Sequence, residues 1–136
     1  MRLTGTITVE AWIRRSVSGA QHSIAEKYGC AGDAATLGGF AFRVGANDKL
    51  VFYTLDDCYG GVGAFGTTTL AANTWYHVAG VWDGAQIRLY VNGALDATVI
   101  TTHGPKTGGT PLRLGARSND AGTTFGGVME DRKSVV

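Results

Sequence analysis

Three glutamates are the residues of this chain best suited to acid–base chemistry, but their spacing argues against catalysis. Glycoside hydrolysis uses two carboxyl groups that flank the scissile bond, one as acid and the other as nucleophile or base. Glu10, Glu26 and Glu130 each lack an acidic neighbour two positions later on the same strand face. Glu10 lies among apolar residues and is better explained as a sheet-surface or metal-adjacent carboxylate. We therefore predict no catalytic residue and keep a hydrolase as the weakest alternative.

The other familiar catalytic patterns are also missing from the sequence. His22, His77 and His103 are scattered, and no G-x-S-x-G elbow accompanies them. The many glycine pairs do not form the G-x-x-x-x-G-K loop that cradles phosphate. His77 is most simply a strand-face residue opposite Tyr90. These patterns favour a binding or structural domain over an enzyme.

Cys30 and Cys58 are the two cysteines of the chain. Alternating apolar residues predict strands at 22–28, 39–44 and 49–55, and each cysteine follows one of the two strands that flank the middle one. Strands about 10 Å apart allow loop cysteines to reach the Cα separation of about 4.4–6.8 Å that a disulfide needs. We predict this disulfide, which implies an oxidising extracellular setting. Two unlinked thiols are the alternative, and zinc is disfavoured because no histidine lies nearby.

The composition predicts one all-β domain. The chain has 136 residues, 21 glycines against 2 prolines, and a net charge of +1. No apolar run approaches the roughly 20 residues of a membrane helix, and no basic run suggests a nucleic acid or an anionic membrane as partner. Further strands are predicted at 6–14, 65–70, 74–82, 85–91, 95–101 and 112–116, with one more near the end. About ten short strands with regular turns indicate a two-sheet antiparallel sandwich of jelly-roll type.

Two turn signals, Asp83-Gly84 and Asn92-Gly93, punctuate the most regular stretch of the chain. A two-residue loop at the first would place Trp82 opposite Ala85, with an apolar face on one side and a mixed face on the other. After the second turn, a strict two-residue loop would bring Asp96 onto the apolar face. We therefore predict a longer or bulged turn that places residues 95, 97 and 99 on that face.

This stretch, NTWYHVAGVWDGAQIRLYVNGAL, resembles the central hairpin of laminin G-like domains within the concanavalin A-like lectin/glucanase superfamily. TITVEAWIRR near the start and PLRLGARSND and FGGVME near the end resemble further segments of the family in the family's order. The resemblance implies the jelly-roll fold. It leaves function open, because lectins, adhesion modules and enzymes share this superfamily.

The resemblance also implies calcium, which relatives bind at the rim of the sandwich through carboxylate, amide and carbonyl oxygens. Candidate ligands lie in three loops and at the end of the chain: Asp33, Asp56, Asp57, Asp120 and Glu130. Glu130 stands where the family has aspartate. The alternative for each acid is a solvated loop charge or an Asx turn.

A sugar-binding site would combine an exposed aromatic ring with polar neighbours. Tyr59 beside Asp57, and the pair Asn119-Asp120, are the predicted ligand-binding residues. Arg14, Arg43 and Arg88 could line a sheet face and bond sugar hydroxyls, or they could equally well be solvated. Trp12, Trp75 and Trp82 are more readily explained by packing in or on the sheets.

The last six residues, DRKSVV, depart from the family's closing motif. They are what GATCGGAAGAGCGTCGTG, a common sequencing adapter, encodes. We expect residues 131–136 to be a non-native tail, with a frayed natural end as the alternative. Residues 1–130 would then be one laminin G-like domain that lacks its terminal strands.

Together these observations predict a non-catalytic extracellular or cell-surface recognition module within a larger chain. Its partner would be a glycan or an extracellular protein, with neither nucleic acid nor membrane insertion involved. A ligand-free spacer domain attached to a secreted enzyme is the main alternative, and a featureless rim would favour it.

Overall fold

Ten β-strands make up the regular structure of the described residues. The computed structural model describes residues 5–29, 38–55, 61–105, 109–117 and 123–130. In chain order the strands are β1 (Ile7–Arg15), β2 (His22–Gly29), β3 (Gly38–Val44), β4 (Leu50–Leu55), β5 (Gly61–Phe65), β6 (Tyr76–Trp82), β7 (Gln86–Val91), β8 (Ala94–Ile100), β9 (Arg113–Leu114) and β10 (Gly127–Glu130). These ranges hold no helix that could cross a membrane. The all-β prediction is confirmed.

The strands form two antiparallel five-stranded sheets. Sheet A has the order β10-β1-β6-β7-β8, and sheet B has the order β5-β4-β3-β2-β9. Consecutive strands β2 to β5 form a meander, whereas β1 and β10, the first and last of the described strands, pair with each other in sheet A. This is the predicted jelly-roll sandwich, with β2 and β4 on either side of β3.

One hydrophobic core fills the space between the sheets. Fully buried side chains come from both sheets and include Ile13, Val78, Ile87, Leu89, Phe42, Leu50 and Phe52. Burial of each such side chain stabilises the fold by about 1.5–3 kcal/mol. Gly80 leaves room for the Phe52 ring, because a Cβ there would lie 2.7 Å from the ring's Cδ2 atom. A glycine inside a strand often marks such a close approach.

The β6–β7 hairpin keeps the predicted faces but not the predicted partners. Trp82 lies opposite Ile87, two residues beyond the predicted Ala85. The cause is Asp83, whose Oδ1 accepts hydrogen bonds of 3.0 Å from the backbone amides of Ala85 and Gln86 and so stabilises a longer loop. Because the shift is two residues, every side chain stays on its predicted face.

The β7–β8 hairpin contains the predicted bulge. Asn92 and Gly93 have φ values of 50° and 82°, as a two-residue turn of this hand requires. The register then shifts so that Asp96 is the extra residue, and Ala97 faces the core as predicted. The prediction is wrong for Leu95, which lies before the bulge and is 57% exposed on the outer face.

Strand β5 lies earlier in the chain than predicted. The threonine-rich stretch 65–70 is not a strand; β5 ends at Phe65, and a loop follows. The hydroxyls of Thr67 and Thr68 donate to Oδ1 of Asp96 at 3.0 and 2.6 Å. The β-branched composition is misleading here because these threonines bond a carboxylate instead of packing in a sheet.

Removal of the Asp96 carboxylate is expected to loosen this loop. The carboxylate of Asp96 accepts hydrogen bonds from both the amide and the hydroxyl of Thr67 and of Thr68. Burial alone raises the pKa of Asp96, but these hydrogen bonds outweigh burial and lower the pKa below its ordinary value. We expect Asp96→Asn to reduce the free energy of unfolding by about 1 kcal/mol at pH 7, measured by urea unfolding.

The pH dependence of this effect has a definite sign. A lowered pKa means that protonation opposes the folded state, so the contribution is present above the unfolded pKa of about 3.9 and is lost as the pH falls through the folded pKa. The difference between wild type and Asp96→Asn should therefore shrink as the pH is lowered from 7 to 2. Glu10→Gln, at an exposed carboxylate, is the control. A difference that does not change with pH would contradict the assignment.

A buried arginine ties the two sheets together. The Arg15 side chain, at the end of β1, is 1% exposed. Its guanidinium donates to Oδ1 of Asp48 at 2.6 Å and to the carbonyl oxygen of Leu70. Asp48 lies in the turn between β3 and β4 and also accepts from the Gly19 amide at 2.9 Å. The hydrogen bond from Arg15, followed by that from Gly19, lowers the pKa of Asp48.

Candidate functional site

Most of the binding residues predicted from sequence lie outside the described part of the chain. They are Cys30, Asp33, Asp56, Asp57, Cys58, Tyr59, Asn119 and Asp120. The strands that lead to the first six are in place: β2 ends at Gly29 and β4 ends at Leu55, at the same end of sheet B. Glu130 is described; it is the exposed last residue of β10 and lies opposite Trp12. The disulfide and the calcium ligands stay predictions.

Two of the three described histidines, His22 and His77, make side-chain contacts within the fold. His77 Nε2 lies 3.5 Å from Glu10 Oε2 on the outer face of sheet A, and its ring packs against Trp12 at 5.4 Å. His22 is buried, which lowers its pKa, and its Nδ1 accepts from the Gly126 amide at 3.1 Å. In the part of the chain that the structure describes, no three His, Cys, Asp or Glu residues are grouped to hold a metal ion.

The outer face of sheet B carries aromatic rings around one arginine. The Cζ atom of Arg43 lies 5.9 Å from the ring centroid of Tyr28 and 5.7 Å from that of Tyr53. The Phe65 ring meets Tyr53 edge-on, with centroids 5.5 Å apart and an interplanar angle of 89°. We call these four side chains the aromatic–arginine platform. They come from four adjacent strands, β2 to β5.

Register and residue size explain why the rings meet. Tyr53 in β4 is opposite Ala41 in β3 and Gly63 in β5. A Cβ at Gly63 would lie 2.6 Å from the Tyr53 ring, so the glycine leaves the space that the ring occupies. The core-facing neighbours of these positions are Phe42 and Phe52, because side chains alternate between the two faces of a strand.

A buried carboxylate holds the arginine in place. Glu26 is fully buried, and its Oε1 lies 3.2 Å from Nη2 of Arg43 and accepts from the Ser23 hydroxyl at 2.7 Å. The Arg43 side chain is 12% exposed, and its Nε has no hydrogen-bond partner among the described residues. The planar guanidinium suits carboxylates and hydroxyl groups. The platform therefore contains a guanidinium that a buried carboxylate holds in place and whose Nε is also buried.

Exposure differs across the platform. Tyr28 is 6% exposed and Phe65 is 57% exposed, with Tyr53 between them in burial. Exposed aromatic carbons beside a polar group can pack on the apolar faces of a ligand while the polar group fixes its orientation. The arrangement is suited to binding, and it holds no nucleophile with an adjacent base.

Sequence reasoning identifies one of these four residues in advance. Arg43 is among the arginines predicted to line a sheet face. The alternation of β4 contains the signal for Tyr53, which follows the core-facing Phe52. Phe65 is missed because the strand that contains it is predicted to begin, instead of end, at that residue. Tyr28 is missed because β2 is buried along its whole length and has no clear alternation.

Comparisons with solved structures find the same fold. The CBM40 module of the Ruminococcus gnavus IT-sialidase, bound to α2,3 sialyllactose, superposes with a TM-score of 0.68 at 16% identity, covering 90% of this chain and 71% of that one. Domains LG4-5 of the mouse laminin α1 chain give a TM-score of 0.71 at 13% identity, and the match covers 95% of this chain and 34% of that one. A native heptameric SAP-like pentraxin from Limulus polyphemus gives a TM-score of 0.64 at 18% identity, and the match covers 96% of this chain and 65% of that one. No curated protein matches in sequence.

The solved structures are too distant in sequence to show more than the fold, but a family model shows the family. The model of laminin G type, described as the concanavalin A-like lectin/glucanases superfamily, matches residues 1–133. The match spans nearly the whole chain and both sheets. The chain belongs to the laminin G-like domains of the concanavalin A-like lectin/glucanases superfamily.

Proposed function

We propose that this domain is a non-catalytic recognition module that binds glycans on the aromatic–arginine platform. The observation that carries the proposal is the exposed Phe65 ring beside Tyr53 and a guanidinium held by a buried carboxylate. A sugar ring has an apolar face that packs on aromatic carbons and hydroxyl groups that accept hydrogen bonds. The outer face of sheet B offers both kinds of contact at its Phe65 side, where that ring is 57% exposed and the Arg43 side chain keeps 12% exposure.

Two structural neighbours support this proposal. The CBM40 module was solved with a bound sialyllactose, a glycan that carries a carboxylate. A botulinum neurotoxin DC binding domain, with a TM-score of 0.59 at 16% identity, was solved in complex with SialylT. A carboxylate on the sugar would match the guanidinium of Arg43, although Glu26 already neutralises part of that charge. Neutral glycans therefore belong in the same screen.

Phe65→Ala is expected to reduce glycan affinity at least tenfold, because it removes the most exposed ring of the platform. Exposed aromatic anchors often dominate binding energy. A glycan array with sialyllactose and lactose included would identify the ligand, and calorimetry would measure its Kd for wild type and variant. The fold should tolerate the change, since Phe65 is 57% exposed.

Leu95→Ala is the matched control. Leu95 has the same 57% exposure but lies on the outer face of sheet A. Its removal should leave glycan affinity within a factor of two of wild type. If no glycan binds, or if both variants bind equally well, the platform is not a sugar site and the ligand-free spacer becomes the leading interpretation.

The cellular setting follows from the same proposal. Glycan-binding and laminin G-like modules act on ligands at cell surfaces or in the extracellular space, and we propose that location and a role within a larger chain. A protein ligand is the second candidate, since an exposed ring and an arginine also suit protein interfaces. A hydrolase is not proposed, because Glu26, the carboxylate paired with Arg43 among the described residues, is fully buried.

We also propose that calcium binds at the rim of sheet B, through Asp33, Asp56 and Asp57. The support is the topology, which makes β2 and β4 end on the same side of the sheet.

Calorimetric titration with calcium should show saturable binding. A calcium concentration ten times the Kd should add about 1.4 kcal/mol to the free energy of unfolding. Asp57→Asn should weaken binding at least tenfold, whereas Glu10→Gln should not. If the titration shows no heat of binding and calcium does not stabilise the fold, Asp33, Asp56 and Asp57 are only solvated loop charges and the calcium proposal is wrong.

A further inference from the structure

A buried histidine holds the segment that leads into β10. His22, at the start of β2, is 3% exposed. Its Nδ1 accepts a hydrogen bond of 3.1 Å from the Gly126 amide, so the proton of the neutral ring lies on Nε2. The carbonyl oxygen of Gly126 accepts from the amide and the hydroxyl of Ser16 at 2.9 and 3.0 Å. Both backbone polar groups of Gly126 are therefore bonded to the body of the sandwich.

Close packing supports these hydrogen bonds. The His22 ring packs against Phe125 with centroids 5.5 Å apart. A Cβ at Gly126 would lie 3.3 Å from Cε1 of the His22 ring and 3.5 Å from Oγ of Ser16, so the chain passes close to the imidazole. We call His22, Ser16, Phe125 and Gly126 the imidazole clasp. β10 begins at the next residue and pairs with β1, so the clasp fixes the point where this strand joins sheet A.

We propose that the imidazole clasp is an acid-sensitive switch that releases β10 from sheet A when His22 is protonated. An imidazolium carries a proton on each ring nitrogen, so Nδ1 can no longer accept from the Gly126 amide. Two N–H donors would then face each other in a buried site, where an unpaired polar group is destabilising. Release of the segment lets water solvate the charged ring and bond the freed amide. It also uncovers the edge of β1 from Trp12 to Arg15, which β10 covers in the closed form.

The charges around His22 favour this response. Arg15 of β1 repels an imidazolium, whereas Asp48, in the turn between β3 and β4, and the backbone carbonyl of Val17 favour one. Burial has the largest effect and Arg15 the next, so the pKa of His22 lies below its ordinary value of 6.5. The neighbours from the other two elements carry no charge: they are Phe125, before β10, and Val44, opposite His22 in β3.

The pH window follows from the direction of this shift. Because the pKa of His22 is lowered in the closed form, that form has its full stability above the ordinary pKa of about 6.5 and loses stability relative to the open form as the pH falls below it. The pKa of Asp48 is lowered as well, so that carboxylate is protonated only below about pH 4. The interval between pH 6.5 and pH 5 therefore reports on His22 and not on Asp48.

Hydrogen exchange tests the switch in the wild-type chain. The protection factor of the Gly126 amide, corrected for the intrinsic exchange rate, should fall at least fivefold from pH 7.5 to pH 5.5. The upper limit is about elevenfold, since an open-form histidine of pKa 6.5 is ten parts protonated to one at pH 5.5. Exchange at Gly126 should be faster than in the β6–β7 hairpin and nearly independent of urea below 1 M, as local opening requires. Unchanged protection, or exchange that rises with urea as steeply as in the hairpin, would overturn the proposal.

Two substitutions at His22 separate the proton from the packing. His22→Asn keeps an acceptor near the Nδ1 position but does not titrate, so protection at Gly126 should change less than twofold between the two pH values. His22→Phe keeps a ring against Phe125 but accepts no hydrogen bond, so protection should be low at both. His103→Asn, at an exposed histidine, is the control and should keep the wild-type response. A wild-type pH response in His22→Asn, or its loss in His103→Asn, would show that His22 is not the titrating group. Should neither His22 variant fold, wild type and His103→Asn decide the question.

Discussion

Arg15→Met is expected to lower the free energy of unfolding by about 3 kcal/mol, with a fall in Tm on the order of 10 °C. The side chain is almost fully buried and donates to Asp48 and to the carbonyl oxygen of Leu70. Methionine fills a similar volume but donates no hydrogen bond, so the buried Leu70 carbonyl loses its donor and the partly exposed Asp48 carboxylate keeps only the Gly19 amide. Because Arg15 belongs to sheet A and Asp48 to a turn of sheet B, loss of their hydrogen bond also weakens the contact between the two sheets.

The neighbouring arginine provides the control. Arg14 is exposed on the outer face of β1, and Arg14→Met should change the free energy of unfolding by less than about 0.5 kcal/mol. Urea unfolding of both variants at pH 7 measures the difference. Asp48→Asn should destabilise in the same direction as Arg15→Met, since it removes the charge that the guanidinium bonds. Similar stabilities for the two arginine variants would show that Arg15 does not hold the sheets together.

The sheet faces could be predicted from sequence because they follow from strand periodicity. Alternation in β1 and in the β6–β7 hairpin assigns each side chain to the core or to the outside, and a two-residue error in pairing leaves that assignment intact. Hairpin partners are harder to predict, since one Asp83 side chain bonding two backbone amides lengthens the loop. Arg15 is a further example. Alternation along β1 assigns it to the core-facing side, but alternation does not reveal its contact with Asp48, 33 positions later in the chain.

The candidate site was harder to predict than the fold for a related reason. Sequence reasoning looks for binding residues in loops, where polar and aromatic side chains are exposed, and so it points to Tyr59. The platform instead lies on a sheet face and depends on which residues from four strands become neighbours. Tyr53 and Phe65 meet only because β4 and β5 pair in one register, with Gly63 beside the ring. Long-range register of this kind is not readable from any single segment.

The ion pair beneath the platform is expected to couple stability to recognition. Glu26→Gln should cost about 3 kcal/mol, because it leaves the Arg43 charge without its buried partner. Arg43→Met should cost at least as much, since Glu26 has no exposed surface. The double variant should cost clearly less than the sum of the two, with a coupling energy of at least about 1 kcal/mol. Chemical unfolding of all four proteins measures this cycle.

The same double variant separates the two roles of Arg43. Glu26→Gln with Arg43→Met removes both charges together, so much of the stability returns while the guanidinium stays absent. If Arg43 contacts the glycan, affinity in the double variant remains at least tenfold below wild type. Recovery of affinity together with stability would mean that Arg43 only supports the sheet, and recognition would then rest on the rings of Tyr53 and Phe65. The half-buried pair Asp83–Arg88 is the reference cycle, and its coupling energy should be smaller, because water screens its charges more than those of the buried Glu26.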